Sequence, residues 1–447
     1  MSRARCLACL VAIAAPAAAA AQPSEQAASS SHAALSPSTE PPDEAPDAAE
    51  PGEPAPVVFG EEIDLYDPSG RALAPLYRAL RRAEAGEGQA RILFYGASHV
   101  AADYFTNVVR TRLQERFGDA GHGFILPARP WRYYRHLGGV SVESSRRWEA
   151  RRITASSREV EPLGLAGVAV ESSSPTDWGR IDTGSQTASR FEIFYWRQPR
   201  GGAFDVYLDG RRVRRISTAA EEPGPDYAVV TAEDARHVLE VRVRGNGPVR
   251  LFGVSIEREV PGVIVDTLGI NGARASSHLL WDEALHTEHL RRRAPDLVVL
   301  AYGTNESGDD DHPIEDYEAT LRSVVARVRG TVPDAACMLI GPSDRPLRQP
   351  DGAFVERPRT QQIIEVQRRV SRDFGCAFFD LVAFGGGPLH MVQWAAAEPP
   401  FAQTDYVHYT ARGYLRLGEV LHAAIMRGWE AAERFDVPSA VASGPPR

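Results

Sequence analysis

The chain has 447 residues, 43% of them apolar, enough for a globular core and longer than one ordinary domain. Its net charge of −9 is unevenly placed: seven acids and two arginines fall in the first 53 residues, leaving the remainder near −4, with no basic field for nucleic acid. All 50 basic residues are arginine, which excludes Schiff-base and Ser–Lys chemistry.

Arg3 and Arg5 precede an apolar stretch, Cys6 to Ala15, and an alanine run ending near Ala21-Gln22. This predicts a signal peptide over 1–21, too short to span a bilayer. Cys9 raises the alternative of a lipid anchor, but the Cys-Leu-Ala before it fits a lipoprotein cleavage site poorly. A soluble exported protein, in the periplasm, cell envelope or exterior, is the expectation. Residues 22–57 are Ala, Pro, Ser and acid, and bury too little to offset ordering entropy; they read as a disordered linker.

Folded sequence starts near Val58. Leu73, Leu76 and Leu80 predict a helix over Leu73–Ala83. Arg91-Ile-Leu-Phe-Tyr95 is an apolar strand, followed at once by Gly96-Ala-Ser-His and a helix through Val108, Leu113 and Phe117. From 140 to 262 alternating runs replace helical periodicity, among them 167–171, 191–196, 204–208, 238–243 and 249–256. Asp209-Gly210 and Gly245-Asn-Gly247 are turn signals between them. They predict a β-sandwich of jelly-roll type.

Helix and strand alternate again from Val263. Strands are predicted at 263–268, 297–301, 337–341 and 376–381, and helices at 277–293, 314–329, 358–373 and 411–435. With the first strand these make a three-layer α/β sandwich on a parallel sheet, in two parts (58–139 and 263–435) around the inserted β-sandwich. Residues 436–447 are expected to be a disordered tail. Cys337 and Cys376 open two of the strands. Export would permit a disulfide, but adjacent parallel strands offer poor geometry for one, so buried free thiols are expected.

Four residues stand at or just beyond predicted strand ends with the chemistry of acyl transfer. Ser98 offers a hydroxyl, His408 a base, Asp405 a carboxylate to orient the imidazole, and Asn305 a donor for an oxyanion. Singly they have plainer readings: a turn serine, an Asx turn, a helix cap beside a surface histidine. Their joint order outweighs those.

That order (Gly-x-Ser at 96–98, Gly272 in Gly-Ile-Asn-Gly-Ala, Gly-x-Asn at 303–305, Asp-x-x-His at 405–408) resembles the SGNH (GDSL-type) hydrolases over about 88–130 and 263–430. Within that family it is most similar to the peptidoglycan O-acetylesterase branch, which carries a carbohydrate-binding-like β-sandwich after the serine block. The resemblance implies a flavodoxin-like fold and a Ser98–His408–Asp405 triad. It also implies an oxyanion hole from Ser98 N–H, Gly272 N–H and Asn305, no metal or cofactor, and an O-acetylated polysaccharide as substrate. The departure is Ala97, where the family's usual aspartate braces the serine loop. The same residues leave open a polysaccharide O-acetyltransferase or a catalytically impaired glycan-binding protein.

Other clusters read more simply. His286 and His289 lack the H-E-x-x-H pattern and are expected on a solvated helix face, and Asp309–His312 reads as an exposed acidic loop. Trp131, Tyr133, Tyr134, Trp178 and Trp196 are candidates for sugar stacking or for packing. Arg132, Arg135 and Arg274 are candidates for a carboxylate-bearing glycan. No segment after the signal predicts a transmembrane helix, and the sequence sets no oligomeric state.

Overall fold

The computed structural model describes residues 63–436 apart from Ala155, with side chains to residue 433. The signal peptide, the linker and the tail beyond Asp436 lie outside the described residues. The chain enters through α1 (Ala74–Glu84), which buries the stripe Leu76, Ala79, Leu80 and Ala83. β1 (Gln89–Gly96) is buried from Ile92 onward because both sheet faces are covered: Ile92 and Phe94 enter one core, Leu93 and Tyr95 the other. The single helix expected next is two, α2 (Ser98–Ala101) and α3 (Tyr104–Phe117), broken at Asp103, whose φ of 54° is left-handed.

The β-rich segment contains β2 (Gly123–Ile125), β3 (Ser141–Ser144), β4 (Glu149–Arg152), β5 (Val168–Ser172), β6 (Trp178–Asp182) and β7 (Ala188–Arg197). It continues through β8 (Ala203–Leu208), β9 (Arg211–Ser217), β10 (Gly224–Ala235), β11 (Val238–Val243) and β12 (Val249–Glu257). One antiparallel sheet runs β10-β7-β12-β5-β4 with β2 added on β12; the other runs β3-β6-β11-β8-β9. Period-two alternation sets their packing. On β7, Phe191, Ile193 and Tyr195 fill the core between the two sheets, while Phe194 and Trp196 pack toward the α/β core. Antiparallel pairing begins at Gly123 rather than near 140, because β2 pairs with Val254–Ile256 of β12. Strands such as β9, which buries only Ile216, carry too little apolar pattern to be read from sequence.

The parallel sheet resumes with β13 (Gly262–Gly269), α4 (Glu283–Arg293), β14 (Leu297–Ala301), α5 (Ile314–Thr331) and β15 (Ala336–Ile340). A small hairpin, β16 (Leu347–Arg348) and β17 (Phe354–Val355), precedes α6 (Pro358–Phe374) and β18 (Ala377–Phe379). Two short helices, α7 (Leu381–Phe384) and α8 (His390–Ala396), lead to the 26-residue α9 (Ala411–Asp436). The sheet order is β13-β1-β14-β15-β18 with every pair parallel. Numbered along the chain this is 2-1-3-4-5, the flavodoxin-like order, whose switch point lies at β1 and β14.

Three further expectations are corrected. The helix expected over 277–293 is a 3-10 turn, Ala275–Leu280, followed by α4, whose cap Asp282 accepts the N–H of Leu285 (2.8 Å). His286 and His289 do not face solvent. With Leu285, Leu290 and Arg293 they form the inward stripe of α4, and His289 packs edge-on to Phe194 and Phe252 of the β-rich segment. Burial, with Arg327 beside His286 and His286 and Arg292 beside His289, holds both imidazoles down to about 3. Cys337 and Cys376 are bonded to each other, not free. The β15–β18 register sets them side by side at the strand entrances, with Cα atoms 4.6 Å apart, a span a disulfide closes.

Candidate active site

Ser98 is the first residue of α2, two residues beyond β1, so its side chain stands at the C-terminal edge of the sheet beside the switch point. Its Oγ lies 2.8 Å from His408 Nε2, and His408 Nδ1 lies 2.7 Å from Asp405 Oδ2. The other carboxylate oxygen of Asp405 accepts the N–H groups of Val407 and His408, both at 2.9 Å. This tight turn puts Tyr406 at a φ of 57°, and the Tyr406 ring packs on Phe354 of β17 at 4.5 Å. Burial alone would raise the Asp405 carboxyl. The two N–H groups and the imidazole more than offset that and hold it below the usual carboxylate range.

Beneath this row lies a second layer that the motifs contain but do not announce. His99 is buried, with Nδ1 2.8 Å from Tyr414 Oη and Nε2 3.1 Å from Ser343 Oγ. Ser343 Oγ donates to Val407 O (3.2 Å), next to His408. With that proton committed to Val407 O, His99 Nε2–H donates to Ser343 Oγ and Nδ1 accepts from Tyr414 Oη. Burial, aided by the charge of His408 and opposed by Asp405, pushes His99 down to about 3, so it stays a neutral strut. Thr304 joins the same layer by accepting the N–H of Ser343 (3.0 Å).

The opposite wall comes from two loops. Gly269 ends β13 so close to α2 that an added Cβ would lie 2.1 Å from Ala101 N. Three residues on, Gly272 takes a φ of 75° with open space around it, so its backbone conformation rather than crowding calls for glycine. Asn305 follows β14 and donates through Nδ2 to Ala273 O (2.8 Å), which sets its amide beside the Gly272 loop. Glu306 is a buried clamp between the same two loops, accepting from Ala275 N–H (2.8 Å) and Gly303 N–H (3.1 Å). Burial raises its carboxyl although those N–H groups oppose the shift. A buried histidine, a loop serine and a loop glutamate carry no spacing signal, which is why His99, Ser343 and Glu306 have no role in a sequence reading.

Ala97 is buried and has no side-chain bond to offer. A carboxylate six residues later occupies the base of the serine segment. Asp103 accepts from Thr106 Oγ1 (2.7 Å), Thr267 Oγ1 of β13 (2.8 Å), Arg110 Nη2 (3.1 Å) and Leu137 N–H (2.7 Å). Burial would raise its carboxyl, but Arg110, His136, His122 and the Leu137 N–H together hold it well below the usual range. Asp103, His122 and His136 are also the group among the described residues with ligand atoms close enough for a metal ion. Most of their polar atoms are engaged: His122 Nε2 meets His136 Nδ1 at 3.2 Å, His136 Nε2 meets Tyr134 Oη at 2.9 Å, and Arg110 supplies the cation, while the buried His122 Nδ1 has no hydrogen-bond partner among the described residues. These bonds tie the two imidazoles into a network around the Asp103–Arg110 ion pair.

The remaining candidates separate. Arg274 is ion-paired to Asp309 and Arg357 to Asp310, so the acidic loop is tied by arginines while Asp311 and His312 stay exposed. Trp196 packs on Phe252 (6.1 Å) and Tyr134 bonds the N–H of Leu126 (2.7 Å), both structural uses. Trp178 is half-buried on β6, and Tyr133 is exposed.

Residues 239–416 match the family model of the GDSL-like lipase/acylhydrolase family, a span that holds Gly272, Asn305, Asp405 and His408 but not Ser98. Among solved structures, the chain is similar to a peptidoglycan O-acetylesterase at 26% identity and a TM-score of 0.69, covering 82% of this chain and 99% of that one. It also matches a family two carbohydrate esterase from Clostridium thermocellum (12% identity, TM-score 0.27, 58% of this chain and 95% of that one). Another, from Cellvibrio japonicus, matches at 12% identity and a TM-score of 0.26, over 65% and 99%. No curated protein sequence matches significantly.

Proposed function

Because this chain carries a GDSL-like lipase/acylhydrolase domain and is a carboxylic ester hydrolase, we propose that it is an exported serine esterase removing O-acetyl groups from a cell-envelope or extracellular polysaccharide of the peptidoglycan kind. The observation that carries the chemistry is the unbroken row Ser98 Oγ–His408–Asp405 at 2.8 and 2.7 Å. The acetyl group and the glycan rest on the likeness to the peptidoglycan O-acetylesterase, and export on Arg3, Arg5 and the apolar stretch after them.

Ser98 Oγ attacks the acetyl carbonyl carbon as His408 Nε2 takes its proton, and Asp405 holds the imidazolium through Nδ1–H. The oxyanion is met by Asn305 Nδ2, the N–H of Gly272, and the N–H of Ser98, a helix-start group without an intrahelical acceptor. His408 returns the proton to the leaving sugar oxygen. A water, deprotonated by the same imidazole, then attacks the acyl-enzyme and releases acetate.

Ser98→Ala and His408→Ala should each lower hydrolysis of 4-nitrophenyl acetate by about 10³-fold or more. Full activity in both would overturn the assignment. Acetate released from O-acetylated peptidoglycan and other polymers then identifies the substrate, and adding an acceptor glycan detects transfer in place of hydrolysis.

A further inference from the structure

No aspartate or glutamate lies between Asp119 and Glu143, yet this segment carries Arg129, Arg132 and Arg135 interleaved with Trp131, Tyr133 and Tyr134. It links the serine-bearing helices to the β-rich segment, and contacts at both ends place it beside Ser98. Arg135 Nε donates to Ala102 O (3.3 Å), and the Ala102 N–H in turn bonds Ser98 O (3.0 Å). The same guanidinium covers the Tyr104 ring at 4.5 Å. On the other side, Arg152 of β4 lies 5.4 Å from the Trp131 ring and donates to Asn271 O (3.1 Å), the residue before Gly272. Trp131 lines a small cleft with Leu268 and Gly269. Arg132 lies 5.5 Å over Tyr133, which is 72% exposed.

Among the described residues, Arg132, Arg135 and Arg152 bond backbone oxygens or cover rings, and none pairs with a carboxylate. Their neighbours differ: Arg151 pairs with Glu171 and Arg274 with Asp309. Exposed guanidinium groups without a counter-ion attract anions, and aromatic faces suit the apolar face of a sugar ring. We propose that Arg132, Arg135 and Arg152, with Trp131 and Tyr133, form a subsite for a carboxylate-bearing sugar beside the acetylated one. The enzyme therefore selects acidic O-acetylated glycans over neutral ones. Arg274, the third arginine suggested by the sequence, is replaced in this role by Arg152. The inference rests on Ser98 as the nucleophile.

The test compares acetate release from O-acetylated polygalacturonate with release from the same polymer after methyl esterification, which masks the carboxylates. Wild-type kcat/KM should be about tenfold higher on the acidic form, and the advantage should shrink as added salt screens it. In the Arg132→Gln/Arg135→Gln double variant the ratio should fall close to one, through a higher KM on the acidic polymer. Equal rates on the two forms, a ratio untouched by the double variant, or no release from either form would overturn the subsite. Hydrolysis of 4-nitrophenyl acetate, measured alongside and checked against Ser98→Ala, reports separately on the triad.

Discussion

At the scale of single residues, Asn305 carries the sharpest expectation. One N–H of its amide is spent on Ala273 O, which fixes the plane of the group and leaves the other N–H to face a developing oxyanion. Asn305→Ala should lower kcat on an aryl acetate by about 10²–10³-fold with little change in KM, because the donor acts on the transition state. A rise in KM with kcat intact would mean that Asn305 binds the ground state instead. The residues proposed for the chemistry stood out because acyl transfer demands particular types at strand ends, and Ser98, Asn305, Asp405 and His408 are those types in a fixed order; the structure sets Ser98, His408 and Asp405 in one hydrogen-bonded row. Asp103 was not legible. Nothing in the string around it shows that Thr267 and Arg110 converge on its carboxylate, since one comes from a strand over 160 positions away.

At the scale of elements, the strands of the α/β part and its helices α1, α5, α6 and α9 fall within a few residues of their sequence boundaries, because buried parallel strands are continuous apolar runs and these helices keep one apolar face. Where the reading failed, packing had overridden pattern. The helix after Ser98 breaks at Asp103 for the sake of its bonds to β13, and α4 turns His286 and His289 inward because two apolar layers close over it. The Cys337–Cys376 bond is likewise a product of register, which local sequence does not contain. It closes a loop of 39 residues through α6, and on chain-entropy grounds contributes about 4 kcal/mol. Denaturant unfolding of Cys337→Ser/Cys376→Ser should show a loss of about 2–4 kcal/mol, and an unchanged midpoint would mean that the unfolded chain is not limited by it.

At the scale of the whole molecule, the β-rich segment is held to the α/β part by buried charge as well as by Phe194 and Phe252. Arg293 of α4 bonds Glu257 of β12 and Asp266 of β13 (2.9 Å), and Glu257 also pairs with Arg91 of β1 (2.8 Å). Burial would raise the Glu257 carboxyl, but Arg293, Arg91 and the Ser255 hydroxyl bring it down to about 2, from an ordinary 4.5. A depressed carboxylate stabilises the fold above its unfolded value, and that contribution is lost as pH falls from about 4.5 toward 2. Urea midpoints should drop across that window. Glu257→Gln should flatten the drop and cost about 3–5 kcal/mol at neutral pH, since it strands Arg293 beside a single remaining acid. A variant with the wild-type acid profile would place the sensitivity elsewhere.

The place of the β-rich segment in the chain, between the serine helices and β13, has a consequence in time. Ser98 and His408 stand 310 positions apart, and Asp405 arrives with the last loop before α9. During synthesis the nucleophile emerges first and waits for nearly the whole remaining chain, including both antiparallel sheets, before a base reaches it. A chain truncated anywhere before Asp405 lacks both the proposed base and the carboxylate that orients it, so hydrolytic turnover is expected only once synthesis has passed His408.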